Sequence, residues 1–299
     1  MSRRSAVRDT LEYAAAAAVL KVLAWLPAPL AEAVARGCFR LLDLAVPRLR
    51  RVALKNLQIA LPELGTAGHR RILAGMYRSL ARSLVLFARF PSLDGRSVSR
   101  WIRMEGHEHV EEAFRRGKGV LFATAHLGNW ELSAVAYALL GRPMHVVVRP
   151  LDNPKLDALV SARRRIGGNR LIEKKDGARS ILQALAANQA VGILVDQNSS
   201  LQEGVFVDFF GIPACAGTGL VRLAAHSGAA VIPGYALWSE QEKRYVLRFE
   251  PPVEITGDAR EDTARLQKRL EAVIRRHPEQ WLWIHRRWKT RPPGEPPLY

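Results

Sequence analysis

The chain has 299 residues, 48% of them hydrophobic, enough to bury a substantial core as one large domain or two small ones, which excludes a low-complexity or extended protein. Its two cysteines, Cys38 and Cys215, lie far apart without a C-x-x-C pair, so they supply neither a disulfide framework nor a zinc cluster and fit a reducing compartment. With 45 Lys and Arg against 28 Asp and Glu, the formal charge of +17 favours polyanionic partners: nucleic acid, an anionic membrane surface, phosphorylated lipid or an acidic carrier protein.

In chain order, residues 11–26 form an apolar helical segment that contains Lys21 and ends at Pro27 and Pro29. Its length approaches the roughly 20 residues of a bilayer span, yet alanine contributes little hydrophobicity and a lysine lies inside it. Arg3, Arg4 and Arg8 precede it in the outline of a signal peptide. Residues 30–46 continue the apolar pattern among Arg36 and Arg40, and Arg48, Arg50 and Arg51 follow. This predicts a retained amphipathic or shallowly inserted membrane anchor, with a pair of ordinary core helices as the alternative. Beyond Glu63 the chain reads helical to about Phe90, where Pro91 and Gly95 break it.

From there the pattern alternates. Strands are expected at 120–124, 145–148 and 191–195, with helices at 130–140, 153–166 and 180–187. Further strands at 204–210 and 230–233 enclose a helix starting near Thr218, and 245–249 and 253–255 add β structure before a charged helix over 258–276. Gly217-Thr218-Gly219 lacks the lysine of a phosphate-binding P-loop and reads as a helix start. The grammar is α/β: a helical N-terminal segment, 1–95, leads into one α/β domain, 96–299.

The stretch VLFATAHLGNWEL places His126 directly after a buried strand. Within one regular helix, His126 and Glu131 would point about 140° apart and could not meet. At a strand-to-helix junction the geometry differs: Gly128 permits a tight turn, Asn129 is a good N-cap, and Glu131 falls in the first helical turn, from which its carboxylate can fold back toward the imidazole. A His–carboxylate pair there suits proton abstraction from a hydroxyl. No G-x-S-x-G elbow supplies a protein nucleophile, so direct attack by an acceptor hydroxyl is the simpler chemistry. The spacing is not that of H-E-x-x-H, and no metal is expected.

His126-Leu-Gly-Asn-Trp-Glu131 resembles the signature of the lipid A biosynthesis acyltransferases, the lauroyl/myristoyl branch of the lysophospholipid acyltransferase superfamily. The similarity extends through Asn56-Leu57, Pro62-Glu63, Arg149-Pro-Leu-Asp-Asn-Pro154, Arg164, Asp196-Gln197, the 204–211 segment and the 277–289 tail, covering nearly the whole chain. Leu127 stands where this branch commonly has Phe, and a clear transmembrane helix is usual in well-known members.

The resemblance implies a mixed β-sheet flanked by helices, of the glycerolipid-acyltransferase kind, and an enzyme at the cytoplasmic face of the inner membrane that needs no cofactor. It would transfer an acyl chain from acyl carrier protein, or less often acyl-CoA, to a hydroxyl of a lipid A precursor or related glycolipid. His126 would be the general base, oriented by Glu131, and Gly128, Asn129, Arg149, Arg164, Asp196 and Gln197 the substrate-binding candidates.

From the residues themselves, Arg149 suits an acceptor-phosphate or oxyanion role, or a surface ion pair. Asp196, closing VGILVD, caps or braces the site. The aromatic-basic run from Trp281 to Trp288 either stacks on single-stranded nucleic acid or, preferred given the family, packs against the domain or sits at a lipid interface. The alternatives are an acyltransferase acting on phosphatidylinositol mannoside or another lipid with acyl-CoA, and a non-catalytic basic protein that binds anionic lipid or nucleic acid. The enzyme reading expects no nucleic acid.

Overall fold

A computed structural model describes residues 5–175 and 177–299. Four helices come first: α1 (Ala6–Trp25), α2 (Ala28–Ala45), α3 (Pro47–Ala60) and α4 (Gly65–Arg89). Ser5 caps α1, and Pro27 and Pro47 stand at the breaks on either side of α2, where a missing N–H costs nothing at a helix start. Small residues let the helices approach closely: Leu20, Leu23, Ala31 and Ala35 pack on Ala81, Val85 and Ala88 of α4. The outer faces of α1 and α2 stay apolar, carrying ten of the fifteen exposed large hydrophobic side chains among the described residues. No helix among the described residues is long and apolar enough to cross a membrane.

The α/β part runs β1 (Ile102–Glu105), α5 (His107–Arg115), β2 (Val120–Thr124), α6 (Trp130–Leu140), β3 (Met144–Val148), α7 (Pro154–Arg164), β4 (Arg170–Glu173), α8 (Ala178–Ala186) and β5 (Ala190–Leu194). It continues through β6 (Gly204–Phe209), β7 (Ile212–Gly217), α9 (Gly219–Ser227), β8 (Ala230–Ser239), β9 (Arg244–Phe249) and α10 (Ala259–Arg276). Seven strands form one sheet in the order β1-β9-β8-β2-β5-β3-β4, parallel except for the antiparallel β8–β9 pair, so the expected mixed α/β sheet is present. Helices α5 and α6 cover one face, with Val110, Phe114, Val135 and Tyr137 packed on Phe122, Ile232 and Leu247. Helices α8, α9 and α10 cover the other, where Ile181, Leu185, Leu220 and Leu266 meet Leu121, Ala123 and Val191. The central strands, buried on both faces, read as continuous apolar runs for that reason.

Strands β1 and β4 and helices α3 and α5 were not expected. The two strands lie at the sheet's edges and read IRME and RLIE, too short and too charged for alternation to stand out. The expected strand at 253–255 shrinks to a single bridge between Val253 and Val231, directly after Pro251 and Pro252, which offer no ladder N–H. Expected as one strand, 204–210 closes a hairpin, β6–β7, through Phe210 and Gly211, both at positive φ as a tight two-residue turn requires.

Candidate active site

Parallel pairing of β2 with β5 sets Thr124 beside Leu194. Two residues past each strand end, at the same offset, stand His126 and Asp196. The register therefore delivers them to one point at the carboxyl edge of the sheet, where α/β folds favour ligand sites. The Nδ1 atom of His126 lies 2.9 Å from Asp196 Oδ1, and the His126 backbone N–H donates to Asp196 Oδ2, also at 2.9 Å. A third donor, the indole Nε1–H of Trp281, reaches the same Oδ2 at 2.9 Å. The tail that carries Trp281 is tied to this loop by a bridge between Leu127 and Trp281 and by bonds from Gly128 N–H to Gln280 O and from Leu282 N–H to His126 O.

Asp196 is 3% exposed. Burial works against its charge, but the His126 imidazole, the Trp281 N–H and the His126 backbone N–H together hold its carboxyl at about 2. An ionised carboxylate only accepts, so Nδ1 of His126 carries the proton and Nε2 is left to the cleft. For His126 itself, burial lowers the pKa, and the charge and hydrogen bond of Asp196, with the charge of Glu131 behind them, outweigh burial and raise it above the ordinary value. The Trp130 ring stands edge-on to the imidazole at 5.1 Å and limits its rotation.

Glu131 sits elsewhere than expected. It occupies the first turn of α6, as the junction geometry requires, but Arg164 at the end of α7 takes its carboxylate through two bonds, Nε to Oε2 at 2.9 Å and Nη2 to Oε1 at 2.6 Å. The carboxylate hydrogen-bonded to His126 is thus Asp196, and the planar guanidinium of Arg164 matches both oxygens of Glu131. Asn129 does cap α6, accepting from Leu132 N–H at 3.0 Å.

Gly128 has φ +64°, and a Cβ there would fall 2.0 Å from Ala236 O, so only glycine fits. Because Gly128 N–H binds Gln280 O and Asn129 N–H binds Ala236 O, neither offers a backbone donor to a substrate, and both act as architecture.

His126 opens onto a cleft of about 930 Å³. At its polar mouth stand Glu131, Arg149, Arg164, Gln197, Asn198 and Lys174. Arg149 has no carboxylate partner among the described residues, whereas Arg164 is neutralised by Glu131. An apolar arm runs inward along the α6 face of the sheet, bounded by Phe122, Tyr137, Met144, Val146, Leu247 and Phe249. Among the described residues no group of three or more His, Cys, Asp or Glu could hold a metal ion.

The tail resolves one open reading. Trp281, Trp283 and Trp288 are at most 1% exposed and pack against Phe209 and Phe210, so they are core, not a lipid-facing belt or a stacking platform. Trp281 is the site residue that local sequence did not mark. Its only signal was an aromatic cluster close behind a charged helix.

An apolar arm, a histidine hydrogen-bonded to a buried carboxylate and a polar mouth that holds Arg149, at the carboxyl edge of an α/β sheet, fit an acyl-transfer enzyme that handles lipids. The family model of the bacterial lipid A biosynthesis acyltransferase matches residues 1–290. The chain is 28% identical over 284 residues to the lipid A biosynthesis lauroyltransferase of Escherichia coli (strain K12), covering 94% of this chain and 92% of that protein. It is 31% identical over 270 residues to the lipid A biosynthesis palmitoleoyltransferase of the same organism, 88% of each chain, and 27% identical over 248 residues to its myristoyltransferase, 82% and 77%. The chain belongs to the bacterial lipid A biosynthesis acyltransferase family.

Proposed function

We propose that the enzyme moves a fatty acyl group from the thioester of acyl carrier protein to a hydroxyl of a lipid A precursor or closely related glycolipid, with His126 as general base. The observation that carries this reading is the His126–Asp196 pair, which leaves Nε2 at the junction of a polar mouth holding Arg149 and an apolar arm. The acceptor hydroxyl gives its proton to Nε2 as its oxygen attacks the thioester carbonyl. The tetrahedral intermediate then collapses, the carbon–sulfur bond breaks, and the imidazolium returns the proton to the departing thiolate. Asp196 keeps the tautomer and stabilises the imidazolium. Arg149, which lines the same cleft, meets the developing oxyanion or an acceptor phosphate, and the Glu131–Arg164 pair shapes the mouth.

The acyl chain lies in the apolar arm. Acyl carrier proteins are acidic, and a +17 chain attracts them in a salt-dependent way. Residues 1–95 associate with the cytoplasmic face of the inner membrane at its surface, through the apolar outer faces of α1 and α2 with Arg36, Arg40, Arg48 and Arg51 exposed beside them.

The test is transfer by purified full-length protein, with matched acyl-carrier and acyl-CoA donors and a lipid A precursor in detergent, the product being read by mass spectrometry. Acylated precursor from the carrier donor, lost in a folded His126→Ala variant, is expected. Wild-type turnover in that variant overturns the role of His126, and a strong preference for the CoA donor at low salt overturns the donor.

A further inference from the structure

The relatives named above are named for different acyl groups, and the floor of the apolar arm is built from few side chains. Register resolves the arm into layers along the α6 face of the sheet. Nearest the mouth lie Thr124 and Leu194, which pair, and Gly234, which follows Pro233, the partner of Ala123. One layer deeper, Phe122, Gly192 and Val146 pair across β2, β5 and β3. One layer deeper again, Val120, Ala190 and Met144 pair, and of these three only Met144 reaches the cavity. Layers are two residues apart, or about 6.6 Å, so each step along the arm spans several methylene groups.

Gly192 leaves a gap in the middle layer between Phe122 and Val146. Met144 closes that gap from below: a Cβ on Gly192 would lie 2.6 Å from Met144 Cε, so the thioether methyl already lies over the glycine. Side walls are rigid by comparison. Phe122 packs against Tyr137 at 5.0 Å and against Phe249 at 5.2 Å, and a Cβ on Gly234 would come within 3.1 Å of the Phe249 ring. The flexible part of the floor is the methionine, an unbranched side chain that re-packs at little cost.

We infer that Met144, lying over Gly192, is the stop that determines how long an acyl chain the enzyme accepts. The inference rests on the apolar arm holding the acyl chain. Truncation of Met144 opens the floor toward Val120 and Ala190 and admits a longer chain. A methyl on Gly192 displaces the thioether into the arm and shortens it. The two changes therefore act in opposite directions, which a general loss of stability would not produce.

The experiment compares wild type, Met144→Ala, Met144→Leu and Gly192→Ala as full-length folded protein, with folding checked by circular dichroism. Competing saturated acyl-carrier thioesters of about 10 to about 18 carbons are supplied, and the ratio of products is read. Discrimination of a methylene in an apolar pocket is about 10-fold or more. Met144→Ala should therefore move the preferred length up by at least one even-numbered step with a change of about 10-fold or more in the product ratio, Gly192→Ala should move it down, and Met144→Leu should stay close to wild type.

In parallel, thermal stabilisation by free fatty acids of the same lengths reports the arm without turnover. A profile unmoved in both Met144→Ala and Gly192→Ala, by either readout, overturns the inference. Length-dependent stabilisation that shifts as stated, with no transfer by wild type, supports the stop and overturns the enzymatic reading instead.

Discussion

The indole Nε1–H of Trp281 donates to Asp196 Oδ2 at 2.9 Å, so the carboxylate facing His126 is held by a residue 85 positions further along the chain. Trp281→Phe keeps an aromatic ring in the core and deletes only the donor. A hydrogen bond to a charged group contributes about 1.5–3 kcal/mol, and kcat/KM should fall by about 10-fold as Asp196 loses its fixed orientation. Without that donor more negative charge stays on the carboxylate, which favours the imidazolium. The rising limb of kcat/KM against pH should therefore move to higher pH, a shift that loosened packing alone does not cause.

Wild-type activity should itself rise with pH. A general base works in its neutral form, and His126 has a raised pKa, so the midpoint of the rising limb should lie above about 6.5, the ordinary histidine value. In Asp196→Asn the charge and the charged hydrogen bond that raise it are gone, burial remains, and the limb should move down in pH. The plateau should fall about 10³- to 10⁴-fold, because the amide no longer enforces the tautomer. An amide also cannot accept from all three donors now aimed at Asp196, so thermal melting should show a loss of about 1–3 kcal/mol.

Glu131 and Arg164 form a bidentate pair in which both side chains are 20% exposed, and they should behave as one unit. Glu131→Gln leaves the guanidinium without its partner at the mouth, and Arg164→Gln leaves the carboxylate so. Each single variant should lose activity, and the double variant should be no worse than the worse single, with a coupling of about 1–3 kcal/mol from a double-mutant cycle on kcat/KM. Strict additivity would show that the two act separately.

Trp25 is 86% exposed, Leu41 67% and Leu44 62%, on helices whose buried faces are already occupied. Replacing all three with Ser should leave the melting temperature nearly unchanged. Flotation with anionic vesicles should weaken by at least about 10-fold, since burial of one such side chain is worth about 1.5–3 kcal/mol. Equal flotation of variant and wild type would mean that α1 and α2 do not carry the membrane contact.

Much of this molecule is local. The runs at 120–124 and 191–195 are apolar because both faces of those strands are covered, and their ends mark the sheet edge where His126 and Asp196 emerge. Gly128 and Asn129 announce the turn and the cap of α6, and both occur as the residue types demand. The edge strands β1 and β4 were not legible, since half-exposed four-residue strands carry no periodicity that distinguishes them from loops.

The sequence by itself determined the histidine, its place at a strand end, the apolar strands and the family resemblance, because strand ends, caps and turns depend on residues close in the chain. Which carboxylate meets the histidine was decided only by the tertiary structure. Glu131 is five residues away and Asp196 seventy, yet parallel pairing of β2 with β5 brings Asp196 to Nδ1, while the packing of α7 beside α6 brings Arg164 to Glu131. Strand order and register follow from burying two sheet faces at once, a property of the whole chain, so no local spacing could have chosen between the two acids.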